Sequence, residues 1–315
     1  MRQWLIGGVI ASLSSLNVAF ADSLKNLPYP KGEVGADEIA RQVYFVNHFY
    51  AVNNIFLGRE GKRKITTLVT RDKDGKRMIN TLRRFLNNDY KEGDVRAKDM
   101  ALFHSGKLMG RGMLVTEYKD EAKSQHYAVW LPAKKGISHF PEPAHDETWG
   151  DSDLTFGDVY LRKPQHESHE LLGKETLKDC LGAMALSDTD KKRRYLKQLS
   201  APQCGHKGKE IYKLKSTTKF KDWWYDHRVS YVDTKTFADY RTEYFKGGKK
   251  IKTIDRDWTT MRLDDPRGSY WRYWYVKNDA TGGETMINIP KEIISWNEDA
   301  ETEFWSEETL THMRR

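Results

Sequence analysis

From Asp37 the apolar positions Ile39, Val43, Val46, Phe49, Tyr50 and Val52 recur every three or four residues, the spacing that lays one stripe along a helix; a helix is predicted from 37 to about 54. Asp37 and Glu38 stand where a carboxylate complements the positive end of a helix. Beyond it the period falls to two. Alternating segments are read at 64–70, 77–86, 97–105, 111–118, 126–131, 158–163, 169–178, 210–219, 222–233, 238–246, 249–262, 269–277 and 284–290. Asp74-Gly75, Gly247-Gly248 and Gly282-Gly283 punctuate them as tight turns. The pattern predicts a mainly β (α+β) fold: a large antiparallel sheet of about eleven or twelve strands that curls on itself, with one N-terminal helix. In the later half only 188–199 shows helical spacing, through Tyr195, Leu196 and Leu199, with Ser187 or Asp188 as cap; it reads as a small helical excursion between strands. Pro28, Pro30, Gly32 and Gly35 make 22–35 an extended arm, and Phe304, Trp305 and Leu310 are expected to pack back on the sheet.

Alternation also assigns faces. In 222–233, Trp223, Tyr225, His227, Val229 and Tyr231 share one side, while Trp224, Asp226, Arg228, Ser230 and Val232 share the other. In 269–277, Trp271, Tyr273 and Tyr275 alternate with Tyr270, Arg272, Trp274 and Val276. One aromatic face and one mixed face predict a sheet that is apolar inside and wet outside. Aromatic residues make up 12% of the chain and include ten Trp. Such rings either fill a core or line a cavity with their polar tips toward a guest. One helix and one short excursion supply little apolar cover for so wide a sheet, which leaves part of the concave side for a ligand.

Composition sets the compartment. Residues 1–21 carry a single charge at Arg2, an apolar stretch from Trp4 to Leu16 and the small-x-small site Ala19-Phe20-Ala21, the features of a secretory signal peptide. Cleavage after Ala21 would leave 22–315 as one domain with an insertion, soluble and periplasmic; no Cys follows the cut to carry a lipid anchor. Removing Arg2 lowers the formal net charge from +8 to +7, spread along the chain. That excess suits a solvated surface and would also favour anionic partners such as phospholipid headgroups. The only cysteines, Cys180 and Cys204, lie in a compartment where disulfides persist and are expected to pair across the excursion.

A stretch in the middle of the chain resembles a known family. The strand end Trp130-Leu131-Pro132-Ala133 is similar to "Y-L-P-A", and Trp149-Gly150-Asp151-Ser152-Asp153-Leu154-Thr155-Phe156-Gly157-Asp158 is similar to "F-x-G-S-D-F-T-Y-E-D", both of the outer-membrane lipoprotein-sorting, LolA-like proteins. Ser152, Asp153, Thr155 and Asp158 match, whereas Asp151, Leu154 and Gly157 depart. Weaker likenesses run through 67–77, 107–114 and 241–252 to the terminal Phe304 and Leu310. The resemblance implies a half-open antiparallel barrel around helices, with a hydrophobic cavity that takes up acyl chains of lipids or lipoproteins and hands them to an outer-membrane acceptor. It also implies a partner among membrane exporters of the resistance-nodulation-division type. Met113, Trp130, Trp149, Phe156, Trp223 and Tyr225 are the candidate lipid-binding residues, each also able to serve as plain core.

Other chemistry is less well supported. His166-x-x-His169 has a metal-like spacing, but His169 enters a strand and no third ligand is placed, so neither metal nor other cofactor is expected. Asp146, Glu147, Asp151, Asp153 and Asp158 could host a hydrolytic pair, although short acids in turns more often bind backbone amides. Gly-x-Ser-x-Gly, a phosphate-cradling glycine loop and His-Glu-x-x-His are all missing, which disfavours an enzyme. Nucleic acid is not expected as the partner of an exported chain. A carrier is thus the leading expectation; a non-transporting accessory of an envelope exporter, or a periplasmic hydrolase, are the alternatives.

Overall fold

The computed structural model describes residues 24–58, 64–120, 122–160 and 162–312; the expected signal peptide and its cleavage site lie outside them. The arm expected to be extended from 22 to 35 is helical at 24–25 and extended after that; helix α1 (Ala36–Asn47) then turns Ile39, Val43, Tyr44 and Val46 into the core. It is shorter than predicted because the chain leaves it at Phe49, whose φ of 55° belongs to the left-handed region. Phe49, Tyr50 and Val52 are nonetheless buried. The preceding arm is held down: Gln42 donates to the Pro28 carbonyl at 2.9 Å, and Arg267 donates to the Leu27 carbonyl and to Gln42, each at 2.8 Å.

Among the described residues fifteen strands follow, more than the eleven or twelve expected. They are β1 (Asn54–Leu57), β2 (Thr66–Arg71), β3 (Arg77–Asn87), β4 (Val95–Ser105), β5 (Gly112–Tyr118), β6 (His126–Leu131), β7 (Gly136–Pro141), β8 (Glu167–Thr176), β9 (Glu210–Thr218), β10 (His227–Asp233), β11 (Asp239–Lys246), β12 (Lys249–Thr260), β13 (Ser269–Asn278), β14 (Gly283–Asn288) and β15 (Ile294–Trp296). The three that alternation did not reveal, β1, β7 and β15, are short or exposed. The described residues of 158–163 form no strand: Thr155 caps a single helical turn, α2 (Phe156–Val159), through a capping box with Asp158. In place of a helix at 188–199 there are two 3-10 turns, Asp190–Lys192 and Leu196–Gln198. A last helix, α3 (Glu307–His312), ends the described chain.

All strands join one antiparallel sheet in the order β7-β6-β5-β4-β3-β2-β14-β13-β12-β11-β10-β9-β8, with β1 pairing β3 and β15. The edges β7 and β8 do not pair, so the curled sheet stays half-open. These edges are consecutive in sequence. The connection 142–166, which holds the signature that begins at Trp149, therefore spans the open side and dips onto the concave face. There Leu154 is wholly buried, Asp153 accepts from the Thr285 hydroxyl at 2.9 Å, and Asp158 accepts from Lys252 at 2.6 Å and Tyr244 at 2.7 Å. Asp158 binds a backbone amide, that of Thr155 at 2.8 Å, as expected of acids in turns, whereas the Asp153 carboxylate holds the loop through the side chains of Asn278, Thr281 and Thr285 instead.

The faces differ from the simple expectation. Cross-strand register places Arg228, Thr242, Ile254, Arg256, Trp274, Ile287 and Leu68 on the concave side, so β10 and β13 turn their mixed face inward. Charges are admitted there because each meets a counter-charge: Arg228 with Glu167 at 2.7 Å, Arg256 with Asp239 at 2.6 Å and Lys252 with Asp158. The opposite side of β11–β14 is covered by the excursion, closed by the Cys180–Cys204 disulfide. Arg77 pairs with Asp190 at 2.5 Å, Arg241 donates to the Cys180 carbonyl at 3.1 Å, and Ser200 is tied to Asn288 at 2.9 Å. A second apolar cluster lies behind β3–β6, where Phe85, Met100, Leu114 and Trp130 meet Trp305 and Leu310 of the C-terminal segment. Trp305 donates its indole N–H to the Phe85 carbonyl at 2.9 Å, which puts the terminal aromatics on the sheet as expected.

Two predictions follow from these restraints. Burial alone would raise the Asp158 carboxyl, but Lys252, the Thr155 amide and the Tyr244 hydroxyl outweigh it and hold the group below the usual carboxylate range; Arg228 and Tyr225 do the same for Glu167. A depressed carboxyl contributes stability that is complete above its unfolded pKa and is lost as pH falls through the folded one. Asp158→Asn, which also strands the buried Lys252, is expected to cost about 3–5 kcal/mol in urea unfolding at pH 7 and to flatten the loss of stability below pH 4. Replacing both cysteines by Ser should leave the fold intact and lower the unfolding free energy by about 3 kcal/mol, the loop-closure contribution of such a bridge.

Candidate functional site

Between the concave face and the bridging segment lies an apolar slot of about 50 Å³. Its floor comes from alternate residues of neighbouring strands: Leu82 and Arg84 of β3, Asp99 and Ala101 of β4, Met113 of β5, Trp274 of β13 and Ile287 of β14. Trp149, Val159 and Tyr160 of the bridging segment form its roof. At roughly 10–15 Å³ per water, the slot takes only about three to five water-sized bodies as it stands.

One wall is polar. Arg84 grips Asp99 with both Nε and a terminal nitrogen, the closest contact being 2.8 Å, and its guanidinium lies 5.9 Å from the centre of the Trp271 ring. Trp271 and Trp274 are about 5% exposed, and among the described residues neither indole N–H has an acceptor within hydrogen-bond distance. An apolar slot with two unmatched donors and a neutralised ion pair suits a hydrocarbon group that carries an oxygen acceptor.

Tyr160 separates the slot from a wetter cleft of about 430 Å³, whose wall includes Tyr44, His48, Arg96, Glu117, Glu142, His145, His166 and Trp223. Burial pushes the His48 and His166 imidazoles down to about 4, so both are neutral at neutral pH. His145 contacts Glu142 at 2.9 Å. His169, the other member of the His-x-x-His pair, is used structurally: it bridges the Pro164 carbonyl and the Ser216 hydroxyl, each at 2.9 Å.

The candidate lipid-binding residues are dispersed by the fold. Met113 and Trp149 meet in the slot. Phe156 is half-buried against the core with its ring 6.1 Å from Tyr127, and Trp223 lines the cleft beneath the Arg162 guanidinium at 4.1 Å. Tyr225 is fully buried and donates to Glu167 at 2.9 Å. Trp130 lies on the opposite face, in the second cluster. Sequence reasoning missed Arg84, Asp99, Tyr160, Trp271 and Trp274. Alternation puts Trp271 and Trp274 on opposite faces of β13; a register shift between Asp257 and Trp258, which leaves Arg272 unpaired, turns both toward the slot.

Comparison with family models and with curated protein sequences gives no match. Solved structures do resemble the chain. A protein from Vibrio parahaemolyticus, provisionally named an outer membrane lipoprotein-sorting protein domain, aligns over 88% of this chain and 98% of its own at a TM-score of 0.62 and 14% identity. A DUF1329 family protein from Desulfovibrio piger aligns over 88% and 100% at a TM-score of 0.61 and 14% identity. A LolA superfamily protein from Nitrosomonas europaea aligns over 88% and 100% at 0.51 and 11%. At these identities the likeness speaks for the architecture: a half-open antiparallel sheet closed over by its own connection, which is the LolA-like fold.

Proposed function

We propose that this protein is a periplasmic carrier that takes up the acyl chain of a lipid or lipoprotein in the slot beneath Trp149 and Tyr160 and releases it toward the outer membrane. The observation that carries this reading is an apolar space left between a curled sheet and its spanning connection, in a fold shared with proteins of the lipoprotein-sorting class. Transfer of each methylene out of water contributes about 0.8 kcal/mol. The resting slot would therefore supply only a few kcal/mol, and a longer chain must displace its movable walls. Met113 is unbranched and adaptable, and Tyr160 sits on a connection rather than in a strand; both suit such widening. Binding and release need no bond to be made or broken, which fits a carrier rather than a hydrolase. An inner-membrane exporter of the resistance-nodulation-division type and an outer-membrane acceptor are the partners this role would call for.

Two measurements check it. Native mass spectrometry of protein extracted from the periplasm should show a co-purified lipid, and a fluorescent acyl probe should bind the delipidated protein. Met113→Trp, which fills the slot from β5, should weaken the probe by at least about tenfold while the melting temperature changes by only a few degrees. No co-purified lipid together with no probe binding would reject the carrier reading in favour of an accessory protein with a filled core.

A further inference from the structure

The cleft beyond Tyr160 has a feature that packing does not explain. Arg96, whose side chain is 10% exposed, donates one terminal nitrogen to Glu117 at 2.7 Å, yet among the described residues its Nε and Nη1 have no acceptor within hydrogen-bond distance. Leaving charged donors buried and unmatched is costly, so a site that retains them is suited to an acceptor from outside. Two of the carboxylates that line the cleft, Glu117 and Glu142, are already engaged through both oxygens. Glu117 binds Arg96 through one oxygen and the Gln125 side-chain amide through the other, at 2.9 Å; Glu142 binds His145 through one oxygen and the Gln125 backbone amide through the other, at 3.0 Å. An added anion would meet Arg96 with its remaining valence open and its acidic neighbours committed.

The same network reaches the partition. The Tyr160 ring meets the Tyr127 ring edge-on with centres 6.4 Å apart, Tyr127 donates to the Gln125 side-chain carbonyl oxygen at 2.8 Å, and Gln125 donates to Glu117. A run of polar contacts therefore leads from Arg96 in the cleft to Tyr127, whose ring packs against the Tyr160 ring that roofs the apolar slot.

Building on the carrier reading, we propose that slot and cleft are two halves of one amphiphile site: the hydrocarbon tail passes Tyr160 into the slot, and an oxyanion headgroup, phosphate or carboxylate, seats on the unmatched Nε and Nη1 donors of Arg96.

The test compares three probes of equal chain length on delipidated protein: a fatty alcohol, a fatty acid and a lysophospholipid. An oxyanion-headed probe should bind at least about tenfold more tightly than the alcohol; preference for the lysophospholipid identifies a phosphate head and preference for the fatty acid a carboxylate. In Arg96→Gln combined with Glu117→Gln, which leaves no stranded charge, the ratio of headed to alcohol affinity should collapse toward one, whereas Arg96→Lys should restore part of it. Equal binding of all three probes to the natural protein would overturn the head site and leave the tail slot standing. Failure of every probe to bind would overturn both.

Discussion

Everything in the interior depends on how the connection 142–166 is seated. It has to close the open side of a sheet whose edges do not meet, and it is fixed there by the buried contact of Asp158 with Lys252 and Tyr244. The capping box at Thr155 orients that carboxylate, and Asp153 anchors the same loop to Thr285 on β14. Without this seat Trp149 and Tyr160 would lose their positions, and the concave face would be open groove rather than slot. An ion pair is an expensive fastener in an apolar setting, because both groups must be stripped of water. It is also directional, and direction is what a loop laid across a barrel mouth needs.

How much of this could be read from the chain varies with the residue. Long alternating segments such as β3, β4, β12 and β13 declare themselves, because a half-buried strand must show a period of two. Four residues in β1 and three in β15 are too few to display any period, and β7 exposes its far end, so those strands are set by their partners. The stretch 158–163 resembles a strand in composition but starts one residue before the end of a capped turn; the Thr155-x-x-Asp158 spacing carried that information. The helix end at Phe49 depends on a positive φ at a bulky residue, which tertiary packing imposes and no propensity suggests.

The site was legible in part for the same reasons. Met113 and Trp149 stand out as apolar residues beside a recognisable motif. Arg84 and Asp99 do not, since charged residues alternating along a strand look like a solvent face until the register across β3 and β4 shows them paired inside. The inward turn of Arg228, Lys252 and Arg256 has the same origin: their counter-charges come from Glu167, Asp158 and Asp239, at other points of the chain. Charge sign and alternation are local properties, whereas charge compensation is a property of the folded whole.

The seam between β2 and β14 has a consequence for how the molecule assembles. Thr67 lies beside Asn288, so the middle of the sheet joins an early strand to a late one, while each wing is built mainly from neighbours in sequence. Closure of that seam must wait until nearly the whole polypeptide is available, and pairings so distant along the chain make for slow folding. The two wings can form as hairpins on their own, with their central edges uncovered in the interval. A chain of this topology therefore benefits from protection by holding factors between its synthesis and its final zipping shut.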